Sequence, residues 1–176
     1  MKTEYKVLVV MLILTIAIIA GAIWSSNKTD AQDATRLSKP LMGTKMPDQG
    51  GQHVARGAVH IAYNSNPPTS GPHWVDVAGG GIKNAPIADE LVLHSMEHGA
   101  AVVWYREGME QAEIDKIKEA FVAASGKKIL LPRKDLDVPV ALTSWGYILK
   151  LDTIDTGVIR EFIETNNDRA PEKEAI

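Results

Sequence analysis

Five histidines occur in this chain of 176 residues, and all of them fall between residues 53 and 98. Imidazole titrates near neutral pH and is the commonest protein ligand for transition metals. His94 and His98 lie in the run HSMEHG; on a helix they stand at i and i+4 on one face, a spacing that lets two imidazoles share an ion. His73 follows a loop stiffened by Pro67, Pro68 and Pro72, and supplies a third nitrogen. His53 is the natural fourth. Three ligands leave a position open for chemistry, whereas four close an ion in for structure or storage.

The chain has no cysteine. Disulfides, thiolate zinc sites and a cysteine nucleophile are therefore excluded. Nitrogen donors without thiolate suit zinc or copper, and thioether sulfur would favour Cu(I). Met42 and Met46 could reach in from the start of the domain. Met96 joins the histidines only if its segment is a strand, because on a helix it lies about 200° away around the axis. Glu97, Glu90 and Asp76 are carboxylates able to hold an imidazole tautomer from behind. The order His-Ser-Met-Glu-His is not HExxH, and on a helix Glu97 points about 60° off the two-histidine face. A metal-dependent hydrolase using Glu97 is thus the weaker reading. Ser70 and Ser95 lie near histidines without any nucleophile-elbow pattern. His60, in Ala58–Tyr63 (AVHIAY), is expected to be structural. A rival reading makes the chain a binding or scaffolding module. Its histidines then hydrogen-bond loop carbonyls, and Trp74, Trp104 and Trp145, otherwise core or pocket wall, offer an aromatic face.

These residues need elements to position them. Ala58–Tyr63 reads as a short strand, and residues 64–72 as an irregular Pro-rich loop. Asp89 can cap a helix over residues 90–98, with Gly99 as its stop. Ala100–Tyr105 has the β-branched and aromatic content of a buried strand. An amphipathic helix follows over residues 109–124, with Ile114, Ile117, Phe121 and Ala124 as its stripe and Gly126 beyond its end. Strands are expected at residues 128–131 and 140–151. A last helix, capped by Asp155, runs to about residue 166. The C-terminal half then reads β-α-β-β-α, an α+β layered domain with a mixed sheet and two main helices.

Val7–Trp24 is a run of eighteen residues without a charge, preceded by Lys2 and Lys6. Its length, roughly 27 Å as a helix, suits the ~30 Å hydrocarbon core. We read residues 1–6 as cytoplasmic, 7–24 as a transmembrane signal anchor, 25–39 as a polar linker, 40–172 as an extracytoplasmic domain and 173–176 as a tail. Ala20-Gly21-Ala22 allows the alternative of a cleaved signal peptide. The formal net charge of −3 comes without a basic stripe, so nucleic acid is not an expected partner. The anchor has no GxxxG pattern, and its expected partner is the membrane itself.

PPTSGPH (Pro67–His73), HSMEHG (His94–Gly99) and TSWG (Thr143–Gly146), with Gly51-Gln52-His53-Val54 and Ala170-Pro171-Glu172, resemble the bacterial DUF3105 family over about residues 40–172. The resemblance implies a membrane-anchored or secreted protein. It implies no catalytic role.

Overall fold

A computed structural model describes residues 2–172 and 174–176; Met1, in the expected cytoplasmic segment, and Lys173, in the expected tail, lie outside the described residues. The chain forms two compact units, Met1–Pro40 and Leu41–Ile176.

The first unit is one helix, α1 (Lys2–Ser38). Its segment Tyr5–Ser26, with a mean hydropathy of 2.9, is long and apolar enough to cross a membrane. The stretch expected as a polar linker continues the same helix. Neither Gly nor Pro interrupts residues 22–39, and Pro40 is the first residue that cannot extend it.

The second unit is an α+β domain. In chain order it comprises β1 (Thr44–Lys45), β2 (Gly81–Ile82), α2 (Asp89–Glu97), β3 (Ala101–Arg106), α3 (Gln111–Ala123), β4 (Lys128–Arg133), β5 (Val140–Ser144), β6 (Tyr147–Leu151) and α4 (Thr156–Asn166). The six strands make one mixed sheet in the order β1-β6-β5-β3-β4-β2. β3 is central, parallel to β4 and antiparallel to β5. Its residues alternate between two cores, as the period of a strand requires. Ala101, Val103 and Tyr105 join Ile117, Phe121, Ile159 and Phe162 of α3 and α4. Val102 and Trp104 join Val92, Leu93 and Met96 of α2 on the opposite face. The sheet is thus covered by α3 and α4 on one side and by α2 on the other.

Two expected strands are corrected. Ala58–Tyr63 is irregular and pairs with no strand. Val59 is fully exposed, and the Ala62 carbonyl accepts from the Gln49 side chain instead of a ladder partner. The single strand expected over residues 140–151 is a hairpin. Ser144 opposes Tyr147 across the two-residue loop Trp145-Gly146, where Gly146 takes φ +72°. The C-terminal half is therefore β-α-β-β-β-α. Asp155 caps α4 as expected, accepting from Val158 N at 3.0 Å. Asp89 does not cap α2; Ala88 holds that position, and the Asp89 carboxylate takes both guanidinium arms of Arg133 at 2.5 and 3.0 Å.

Candidate metal centre

One wall of the site is the end of α2. His94 and Glu97 stand at i and i+3 on the last turn, and His98 takes the C-cap, its N–H donating to the His94 carbonyl at 3.1 Å. Gly99 then turns the chain at φ +98°, and a Cβ there would meet the Asp168 backbone at 2.8 Å. Only glycine can make this turn in this space. The helix expected for this stretch is present, and it gathers the His94 and His98 rings to 4.4 Å between centroids.

The other wall is the Pro-rich loop, held against residues 50–54. Gly71 N donates to Gly50 O at 2.7 Å, His73 N to Gln52 O at 3.0 Å and Val54 N to His73 O at 2.8 Å. This short parallel pairing sets His53 beside His73. Their ring centroids are 5.0 Å apart, with His94 at 4.8 Å from His53 and 5.1 Å from His73. Trp145, at the tip of the β5–β6 hairpin, lies edge-on to His73 at 6.0 Å.

Four side chains converge. His53, His73, His94 and Glu97 each bring one ligand atom within 4.8 Å of all the others, in a group that could hold a metal ion. His73 is fully buried, His94 and Glu97 nearly so, and the His53 side chain is 44% exposed. The Glu97 Oε2 is 3.0 Å from His73 Nε2 and 3.9 Å from His53 Nε2. These separations bracket the edge of about 3.3 Å expected for a tetrahedron of ~2.0–2.1 Å bonds. Gly51 leaves room for the carboxylate: a Cβ at that position would come within 1.9 Å of Glu97 Oε1. Gly51→Ala is therefore expected to push the carboxylate out of the group and weaken ion affinity by roughly 10–100-fold, the range seen when supports of a site are lost. A calorimetric zinc titration of the variant against the parent chain checks this.

Tautomers follow from the outer hydrogen bonds. His73 Nδ1 lies 2.8 Å from the Gly71 carbonyl, so Nδ1 carries the proton and Nε2 keeps its lone pair. That lone pair faces a carboxylate oxygen at 3.0 Å without hydrogen-bond geometry. His73 Nε2, His94 Nδ1 and Glu97 Oε2 are all buried with no hydrogen-bond partner. Native proteins seldom leave such atoms unpaired, and three in one cluster require an account.

A family model described as "Protein of unknown function (DUF3105)" matches residues 53–176, well over half of the chain. The chain belongs to DUF3105. No curated protein and no solved structure matches it. The DUF3105 match takes in every histidine, Glu97 and Glu172, and begins after α1, Met42 and Met46.

The other predicted site residues, in the DUF3105 match and just before it, have different surroundings. Glu90 pairs with His60 at 3.2 Å and not with the cluster. The Asp76 carboxylate binds Arg56, at 2.9 Å from its Nη2, and its backbone carbonyl is what bears on His94. Met96 is buried in the core on α2, with its sulfur accepting from Thr143 Oγ1 at 3.2 Å. Met42 packs on the core beneath α3 and α4, and Met46 lines a surface cavity with Thr44 and Ile148. Trp104 is core, its Nε1 bonded to Thr143, and Trp74 is half-buried under the Arg56 guanidinium. His98 sits with His94 and Glu172 in a second group of potential ligands. Glu172 was not among the expected ligands. Its only signal was its place in the family-like Ala170-Pro171-Glu172.

Charge separates the histidines into two kinds. Burial pushes His73 down from its ordinary value, with His53 adding to the shift and the Gly71 carbonyl opposing it. Burial also lowers His94, followed by the neighbouring His98. Both are held toward the neutral form, the form in which an imidazole nitrogen can bind a metal. His60 is raised, first by its bond to the Ile61 carbonyl and then by Glu90. Burial raises Glu97, with Glu172 adding to it. In metal-free protein, imidazole NMR is expected to find His60 titrating above 6.5 and His73 and His94 below it. The linkage signs differ. As pH falls below 6.5 the unfolded chain binds protons that folded His73 and His94 refuse, so their contribution to stability is lost. The His60 contribution is complete below 6.5 and disappears as pH rises through its raised value.

Proposed function

We propose that residues 41–176 bind a divalent transition-metal ion, zinc or copper, through His53, His73, His94 and Glu97. The observation that carries this reading is the buried contact between His73 Nε2 and Glu97 Oε2. The atoms stand 3.0 Å apart, and neither has a hydrogen-bond partner. A cation between them would satisfy both. Three imidazoles and a carboxylate suit Zn(II) or Cu(II), and the placement of Met96 and Met42 in apolar cores removes the thioether argument for Cu(I). Four converging donors favour holding or passing on an ion over catalysis at an open position. The segment Tyr5–Ser26 serves as the anchor, and Lys2 and Lys6, ahead of the uncharged run Val7–Trp24, favour a cytoplasmic N-terminus with the domain outside.

The test is elemental analysis of protein purified without a histidine tag. A single zinc or copper ion per chain, retained through dialysis, is the expected result. Folded protein that stays free of metal and takes up neither ion in titration overturns the proposal. For the anchor, protease added outside intact cells should digest the domain; full protection of a membrane-bound chain reverses the orientation.

A further inference from the structure

We propose that the same ion has a second, weaker position between His94, His98 and Glu172, exclusive of the first and open to exchange. This rests on the metal-binding reading above. One ligand atom from each of the three residues lies within 4.8 Å of the others. His98 Nδ1 is 2.8 Å from the Ala175 carbonyl, which fixes the proton there and turns the lone pair of Nε2 toward Glu172 Oε2 at 3.1 Å. Contacts that do not involve its side chain hold Glu172 in place. Its N–H donates to the Glu97 carbonyl at 3.1 Å. Lys127 Nζ donates to the Glu174 carbonyl at 2.7 Å, to Asp168 Oδ1 at 3.0 Å and to the His98 carbonyl at 2.9 Å. The C-terminal segment thus brings a carboxylate to two nearly buried imidazoles by design of its backbone.

His94 belongs to both groups. A neutral imidazole offers one lone pair, so His94 serves one ion at a time unless it loses its second proton. The two groups are therefore alternatives. The first has four donors and the second has three, one of them a carboxylate whose side chain is 45% exposed. Three ligands leave a position that water or an incoming donor can fill. The ion is held in the first group, and it meets or leaves other ligands in the second by exchange of partners around His94.

The experiment is a zinc chloride titration of the full chain by calorimetry, for the parent and for the double variant His53→Ala/Glu97→Gln. One ion should bind the parent. The double variant should still bind one, more weakly by roughly 10–100-fold, and adding Glu172→Gln to it should abolish binding. A folded double variant that binds no zinc overturns the second position while leaving the first intact. A parent that binds two ions overturns the exclusivity. A parent that binds none overturns the function proposed above as well. The unmutated chain gives an independent reading. The ring nitrogens of His98 should shift or broaden as zinc is added, and signals untouched by zinc overturn the proposal whether or not the variants fold.

Discussion

His94→Ala is expected to abolish ion retention, with a larger effect than loss of any other single histidine. Structural zinc sites provide about 10–16 kcal/mol through four ligands, or roughly 3 kcal/mol for each, which is about a hundredfold in Kd. His73→Ala or His53→Ala removes a ligand from the first group alone. His94→Ala removes one from the first group and dismantles the second, because the ring stands between them at 4.4 to 5.1 Å from His98, His53 and His73. His60→Ala is the control. Its ring is already bonded at both nitrogens, to the Ile61 carbonyl and to Glu90, and the ion content should not change. Elemental analysis and zinc calorimetry on folded variants check the ranking. A His94→Ala chain that binds like its parent removes the basis for both positions.

Phe162→Ala is expected to cause the largest loss of stability and to leave the ion in place. Phe162 is fully buried in the core between the sheet and the α3–α4 layer, with Ile117, Phe121, Ile159 and Ile163 in the same cluster. Truncating a buried phenylalanine costs about 3–5 kcal/mol, because the transfer energy is lost and the close-packed surroundings close over the cavity only in part. At about 2–4 °C per kcal/mol for a chain of this size, Tm should fall by roughly 6–20 °C. The proposed metal centre is on the far side of the sheet, on α2 and the Pro-rich loop. Zinc affinity at a temperature where the variant is folded should therefore match the parent. A large loss of affinity in folded protein would show that the two faces are mechanically coupled.

Much of this arrangement could be read from residue types. The β-branched run Ala100–Tyr105, the stripe of Ile117 and Phe121, and the Asp155 cap each state their element locally, and each formed. His73, His94 and His98 were expected to meet, with His53 as fourth; His53, His73 and His94 do lie together, delivered in part by the stiff loop Pro67–Pro72, whereas His98 falls in the other group. What was missed depends on tertiary placement. Glu97 looked like a supporting carboxylate because it points off the His94–His98 face of an isolated helix. The Pro-rich loop lies on that flank, so the off-face direction is the one that meets His73. Glu172 could not be found by spacing, since its N–H donates to the Glu97 carbonyl across more than seventy residues and the Lys127 ammonium holds the nearby Glu174 carbonyl. The hairpin at Trp145-Gly146 was hidden because Gly146 is its one turn residue; the change of parity across it, which puts Val140 and Leu142 on the same face as Leu149 and Leu151, was the available signal.

The depth of His73 has a consequence for the lifetime of a bound ion. Thr69, Ser70, Gly71 and Pro72 around it are buried as well, and its ring is fastened to the Gly71 carbonyl of its own loop. This ring cannot turn away unless the whole loop lifts, whereas His53 stands half in water and can swing out alone. Release from the first group would then be sequential, His53 letting go first and His73 after it, while His94 keeps its hold. The residence time in the first group would be set by how often the proline loop opens, and a competing chelator in solution would act on the ion only after that step.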